Sequence, residues 1–121
     1  MRKKILLVDD SQAVLTLQTL FLRSDYDIVT AVDGRTAVKR ALADPPDLVI
    51  LDLVMPGMNG LQVCRALRRA EATKSTPIVI LSSQTDVASR KASYLSGCTA
   101  FVSKPVDGPK LLAQVRGLLD A

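Results

Sequence analysis

The sequence has no histidine, two cysteines and four aromatic residues, Phe21, Tyr26, Tyr94 and Phe101. Cys64 and Cys98 fall on separate predicted helices, without CxxC spacing and with no imidazole to complete a metal set. They read as reduced, buried thiols rather than a zinc site or a disulfide. Long apolar runs are missing too. The N-terminal MRKKILLVDD confines its apolar stretch to Ile5–Val8 and closes it with two aspartates. That is too short for a signal-peptide core or a membrane span, so a cytoplasmic location is the expectation. The scarcity of aromatics also bears on the basic excess, 16 Lys and Arg against 12 Asp and Glu. The cations do not cluster in sequence beyond Arg2-Lys3-Lys4 and Arg65/Arg68/Arg69, and no stacking platform accompanies them. They read as solvated helix faces, with no direct nucleic-acid binding and no membrane contact.

What is present is a chain of 121 residues, 48% of them hydrophobic, with no linker-like or low-complexity stretch. That suits one domain, 1–121, built on a single layered core. Short apolar runs at Ile5–Val8, Ile28–Ala31, Leu48–Leu51, Ile78–Leu81 and Ala100–Val102 read as strands. Segments with helical spacing lie between them. Val14, Leu15, Leu17, Leu20 and Phe21 form an apolar face after a Ser11 N-cap. Ala37, Val38, Ala41 and Leu42 form a second, closing before Pro45-Pro46. Leu61, Val63, Cys64 and Leu67 give a third. Val87, Tyr94 and Leu95, with Ala88 and Ala92, give a fourth that Gly97 stops. Leu111, Leu112, Val115, Leu118 and Leu119 give a fifth, with Pro109 in its first turn. Repeated strand-then-helix units predict a parallel sheet with helices on both faces and right-handed crossovers. Ligands of such sheets sit beyond the carboxyl ends of the strands, where the strand order reverses.

The residues at those ends are chemically coherent. Asp9 and Asp10 follow the first strand and Asp52 the third. Ser82 and Ser83 follow the fourth, and Ser103, Lys104 and Pro105 the fifth. Taken singly, most have ordinary readings: an N-cap aspartate, a strand-end hydroxyl, a surface lysine, a turn proline. Asp52 is harder to dismiss, because it ends a run predicted to be buried on both faces. An unpaired buried carboxylate costs several kcal/mol, roughly. Three converging carboxylates repel one another, and a hard divalent cation with oxygen ligands relieves that; Mg2+ is the expected ion. A lysine and a hydroxyl opposite a metal-bound carboxylate suit the charged oxygens of a phosphoryl group.

The segments ILLVDDS at 5–11, PDLVILDLVMPGMNGLQVC at 46–64, PIVILSS at 77–83 and FVSKPVD at 101–107 together resemble the receiver domain of bacterial two-component response regulators. The resemblance covers essentially the whole chain. It implies an α/β, three-layer, doubly wound (βα)5 flavodoxin-like fold with parallel strand order 2-1-3-4-5. It also implies that Asp52 is the phosphoacceptor, serving a sensor histidine kinase, a phosphotransfer protein or a small phosphodonor. Asp10 and Asp52 would bind Mg2+ directly, Asp9 directly or through water, and the backbone carbonyl of Val54 would complete the protein ligands. Lys104 would neutralise the phosphoryl oxygens, and Lys104-Pro105 matches a cis bond. Ser82 takes the place of the switch hydroxyl and Phe101 that of the switch aromatic, where Tyr is more familiar. Ser83 stands where Ala or Gly is more usual. Val54 and Gln84 occupy the positions that line the approach of hydrolytic water and so tune the lifetime of the phosphorylated form.

On this reading the protein is a Mg2+-dependent phosphoacceptor, self-catalysing its phosphorylation and dephosphorylation, and not a turnover enzyme. Its output face would be the fourth helix, fifth strand and fifth helix, meeting an output domain or downstream protein, with homodimerisation on phosphorylation as one outcome. A degenerate receiver acting as an interaction scaffold is the alternative, against which Asp9, Asp10, Asp52, Ser82 and Lys104 argue. A phosphatase with an aspartyl nucleophile would carry a second acid two residues on, where Val54 stands. No GxxxxGK[ST] or GxGxxG motif suggests a nucleotide site. The resemblance fits either a stand-alone regulator or the receiver of a longer protein, such as a nucleotide cyclase, hybrid kinase or transcription factor.

Overall fold

The computed structural model describes residues 2–120. Five strands, β1 (Lys4–Val8), β2 (Asp27–Ala31), β3 (Leu48–Asp52), β4 (Ile78–Ser82) and β5 (Ala100–Ser103), alternate with five helices. These are α1 (Gln12–Leu22), α2 (Gly34–Ala43), α3 (Gly60–Arg69), α4 (Val87–Ser96) and α5 (Gly108–Leu119). The strands form one parallel sheet in the order β2-β1-β3-β4-β5. The fold is therefore the expected doubly wound α/β sandwich, with its order reversing between β1 and β3.

A side-chain cap starts four of the five helices, and Pro109 sits in the first turn of α5. Ser11, Asp33, Asn59 and Asp86 accept a hydrogen bond from the backbone N–H three residues on, and Asn59 forms a reciprocal capping box with Gln62. Such caps satisfy donors that a helix start leaves unpaired. Gly97 ends α4 in the left-handed region, at φ +107°, which a residue without Cβ adopts at little cost. β3 and β4 are buried along their whole length, because helices cover both sheet faces. One core half packs Leu6, Val49, Leu51, Ile78 and Ile80 against Ala37, Val63 and Leu67. The other packs Ile5, Leu7, Ile50 and Leu81 against Leu15, Leu22, Leu111 and Val115.

Two helices turn a different face inward from the one their hydropathy predicts. In α1 the buried stripe is Leu15, Gln18 and Leu22, while Leu17, Leu20 and Phe21 are exposed. This helix is apolar nearly all round, so periodicity alone fixes no unique face. In α4 the outcome is inverted: Ser93 and Ser96 are buried, whereas Val87 and Leu95 are 81% and 75% exposed and Tyr94 also faces out. The serine hydroxyls donate within the helix, Ser93 to the Ser89 carbonyl at 2.8 Å and Ser96 to that of Ser93 at 2.6 Å. Satisfied in this way they act as small packing groups, and Ser96 reaches the Cys64 thiol of α3. Arg68 fixes the C-terminal end of α4, its guanidinium donating to the carbonyls of Gly97 at 2.8 Å and Thr76 at 2.6 Å. Cys98 lies just past α4 and not within a helix; both cysteines are free and buried, as expected. Burial raises both thiols, Cys98 to about 11, so neither ionises near neutral pH.

Gly60 decides how closely α3 approaches the end of β3. A Cβ there would lie 2.5 Å from the Asp52 carbonyl oxygen and 2.8 Å from the Leu53 Cα, backbone atoms with nowhere to go. At Gly117, on the outer face of α5, a Cβ would meet nothing. Gly60→Ala should therefore destabilise the fold by about 2–3 kcal/mol. Gly117→Ala should stabilise it by about 0.5–1 kcal/mol through helix propensity. Urea denaturation checks both: the midpoints should move in opposite directions with little change in slope.

Candidate functional site

The register of the sheet sets the site. Val8 pairs with Leu51, so Asp9 and Asp52 leave neighbouring strands at the same level. Ser82 pairs with Ser103, which places Lys104 on the same edge, and the Lys104 N–H donates to the Ser82 carbonyl at 2.8 Å. The Lys104–Pro105 peptide is cis. The Lys104 ammonium lies 3.1 Å from Asp9 Oδ2 and 3.3 Å from Asp52 Oδ1. Asp9 is held from its other oxygen too, since Oδ1 accepts from the Ser11 N–H at 2.9 Å. Asp9 and Asp52 are buried, and Asp10 is exposed on the rim.

The electrostatics follow from that burial. Desolvation pushes the Asp52 carboxyl above its usual range; Lys104 pulls it back, and the Asp9 charge pushes it up again. For Lys104 burial disfavours the charge, but the hydrogen bond to Asp9 and the charges of Asp52 and Asp9 outweigh it, and its pKa is raised. The ammonium is thus held charged between two carboxylates. One ammonium cannot balance three carboxylates, and an oxygen from each of Asp9, Asp10 and Asp52 lies within 4.8 Å of the others. A hard divalent cation fits this cluster: the donors are all oxygen, the charge is in deficit, and Asp10 opens the set to water.

Ser82 is fully buried, and its hydroxyl oxygen accepts from the Gln84 N–H at 2.9 Å. Phe101 is half-buried against the β4 side of the core. Two partners that the sequence did not suggest hold it there. Its N–H donates to the Tyr94 hydroxyl at 3.2 Å, and the Arg90 guanidinium sits 5.3 Å from its ring centroid. The signal for both was the four-residue spacing of Arg90 and Tyr94, which aligns them on one side of α4. Val54 and Gln84 line one open cleft of about 470 Å³ with Asn59, Leu61 and Ala88. Val54 is 52% exposed there. A second groove, about 310 Å³, runs from Lys104 and Ser83 along Val14, Leu17, Phe21, Pro105 and Val106. No single stretch of sequence marks it, because it joins the outward stripe of α1 to the β5–α5 connection.

A reversed strand order with clustered carboxylates and a lysine at its switch point defines an acidic, cation-ready pocket on a flavodoxin-like sheet. Comparison with known proteins narrows that class. The family model of the response regulator receiver domain matches residues 5–116. The response regulator PleD of Caulobacter vibrioides is 39% identical over 119 residues, which cover 98% of this chain and 26% of PleD. The DNA-binding response regulator MtrA of Mycolicibacterium smegmatis is 40% identical over 120 residues, covering 98% of this chain and 51% of MtrA. The chain therefore spans about a quarter to a half of these curated relatives. Among solved structures, the chemotaxis protein CheY4 of Vibrio cholerae superposes with a TM-score of 0.94 at 31% identity, covering 98% of this chain and all of that one. A putative response regulator from Chloroflexus aurantiacus gives 0.93 at 29% identity, with both chains fully covered. The chain belongs to the response regulator receiver domain family, whose members are two-component signalling switches. Among the described residues no helix is long and apolar enough to cross a membrane.

Because a cation would bind only the folded cluster, millimolar Mg2+ should raise the melting temperature. Asp10 has no ion-pair partner among the described residues, whereas Asp9 is bonded through both oxygens. Asp10→Asn should accordingly raise the metal-free melting temperature by about 2–4 °C and abolish most of the Mg2+ increment. Asp9→Asn should lower the metal-free value. Differential scanning calorimetry with and without Mg2+ separates these outcomes.

Proposed function

We propose that this domain is a phosphorylation-driven switch that accepts a phosphoryl group on Asp52. The donor is a phosphohistidine of a sensor kinase or phosphotransfer protein, or a small acyl phosphate. The observation that carries the reading is the Lys104 ammonium, within 3.3 Å of the Asp52 carboxylate on the strand edge where Asp9 and Asp10 also converge. Mg2+ held by Asp9, Asp10, Asp52 and the Val54 carbonyl would neutralise charge on the phosphoryl oxygens. A carboxylate oxygen of Asp52 attacks phosphorus, and the bond from phosphorus to the donor atom breaks. Its electron pair stays on the donor, on the imidazole nitrogen of a phosphohistidine or the carboxylate oxygen of an acyl phosphate. Lys104, already beside Asp52 Oδ1, follows the charge onto the transferred group. Positioning and charge do the work, and the product stays on the protein, so the domain does not turn over as an enzyme does. On this reading the domain works in the cytoplasm, beside the donor that serves it. The groove along α1 and Pro105 opens beside Lys104, and its apolar lining suits a helix of the donor protein.

The switch runs through Ser82 and Phe101. The Ser82 oxygen accepts from Gln84 and keeps its proton free to donate to a phosphoryl oxygen. Turning toward that oxygen vacates space for the Phe101 ring, which on moving inward leaves the Arg90 guanidinium. The Tyr94 hydroxyl is bonded to the Phe101 backbone N–H and senses the change through the strand. The surface that changes is α4, β5 and α5, carrying Arg90, Lys91, Tyr94, Phe101 and Lys110. Exposed Val87 and Leu95 supply the apolar contact for an output domain, a downstream protein or a second phosphorylated copy. A phosphorylation-independent scaffold has no comparable support, because it gives the Asp9–Lys104–Asp52 cluster no task.

Acetyl phosphate with Mg2+ should add one phosphoryl group by intact mass, and Asp52→Asn should gain none. If the variant is labelled as fully as the wild type, Asp52 is not the acceptor. On adding beryllofluoride, amide shifts should extend from the pocket across α4 and β5; confinement to the metal ligands would argue against a switch. Val54 stands on the rim of the cleft and offers the hydrolytic water no hydrogen bond, so autodephosphorylation should be slow. Val54→Asn should speed it several-fold, about 1 kcal/mol of barrier, and a decay assay after donor removal checks this.

A further inference from the structure

None of the five helices contains an aspartate or glutamate; every acidic residue lies in a strand, cap or connection. The effect is strongest where α2 and α3 pack side by side. Arg35, Lys39 and Leu42 recur at positions i, i+4 and i+7 on the outer face of α2, and Arg65 and Arg69 at i and i+4 on the outer face of α3. All five are exposed, and the four cations make no ion pair or side-chain hydrogen bond among the described residues. Lys74 and Lys4, at the foot of these helices, are by contrast neutralised by Glu71 and Asp44. The dipole favours Arg69 in the last turn of α3, but the rest of the placement works against helix stability. Like charges four residues apart repel, and Arg35 sits in the first turn of α2, where the helix dipole disfavours a cation. Exposed Leu42 continues the α2 row, and half-buried Val38 and Ala66 flank the cations on their own helices.

We infer that the α2–α3 face docks an acidic, amphipathic segment of a partner protein, its carboxylates on Arg35, Lys39, Arg65 and Arg69 and its apolar side chains on Leu42 and Val38. The charge pattern fixes the sign of the partner, and Leu42 and Val38 beside the α2 cations fix its class. A phosphate backbone would leave Leu42 and Val38 unused, and neither helix carries an aromatic residue on which a base could stack. A second copy of this chain cannot supply the acids from its helices. The site stands apart from the Asp52 pocket, so its test does not depend on phosphorylation.

The intact chain carrying Asp52→Asn would be titrated with a synthetic helical peptide of glutamate and leucine, followed by amide shifts and fluorescence anisotropy. Binding should shift amides of α2 and α3 and weaken as salt rises. Arg65→Glu with Arg69→Glu should reduce affinity about tenfold. The milder Arg65→Gln with Arg69→Gln should lose about half of that on a logarithmic scale and guards against misfolding. Arg90→Glu with Lys91→Glu on α4 should change affinity less than twofold, and Leu42→Asn should weaken the peptide severalfold. The inference is overturned if the α4 pair costs as much as the α3 pair, or if Leu42→Asn has no effect. It is equally overturned if a short DNA duplex or anionic phosphatidylglycerol vesicles engage the same residues more tightly than the peptide.

Discussion

A carboxylate buried at the end of a strand imposes conditions on everything around it. Asp52 is tolerable because Lys104 reaches it, and Lys104 reaches it because β5 ends level with β4 and β4 with β3. Asp9 arrives at the same height through the β1–β3 pairing. Groups more than forty residues apart therefore meet only if the whole parallel sheet is in register. A shift of one residue in any ladder would turn side chains to the opposite face and strand a buried charge. The site and the fold thus enforce the same arrangement: the apolar strands align the charges, and misalignment is penalised by an unpaired carboxylate.

The sequence made that arrangement legible because each of its parts has a local signature. Apolar runs of three or four residues gave the strands, Ser11 and Pro109 marked two helix starts, and polar residues directly after the strands marked the functional edge. The faces of α1 and α4 were not legible, for two distinct reasons. In α1 leucine occupies too many positions for periodicity to choose among them, and the packed solution buries Gln18 in place of Leu17 or Leu20. In α4 the choice is made from outside the helix, by Arg68 gripping the Gly97 carbonyl and by the need for small groups beside α3. Hydropathy assigns serine to solvent because it has no means of knowing that the hydroxyls are satisfied within the helix. The contacts of Phe101 with Tyr94 and Arg90 were hidden for the same reason, since they depend on which side of α4 faces β5.

Charge is distributed with a similar division of labour. Acidic residues cap helices, turn the chain or build the pocket, where their oxygens accept hydrogen bonds. Cations occupy the helix surfaces, and the few that find carboxylates do so at the ends of elements, as Arg116 does with Asp25 at 2.9 Å. Exposed pairs of that kind contribute little to stability, typically about 0–1 kcal/mol. The fold is therefore carried by its two apolar core halves, and its surface potential is left free to differ from one face to the next.

The serine-lined seam under α4 has a consequence for motion. A helix that buries hydroxyls and leaves its valine and leucine in water gains little from the hydrophobic effect on docking, and loses correspondingly little on lifting away. α4 is then the segment whose amides exchange with solvent through the smallest opening, ahead of α3 and α5, which bury leucines. Small buried groups also leave no deep notch along the seam, so the register of the helix is held chiefly at its C-terminal end, where Arg68 grips the Gly97 carbonyl. The seam acts as a low-friction bearing between a rigid sheet and a movable surface.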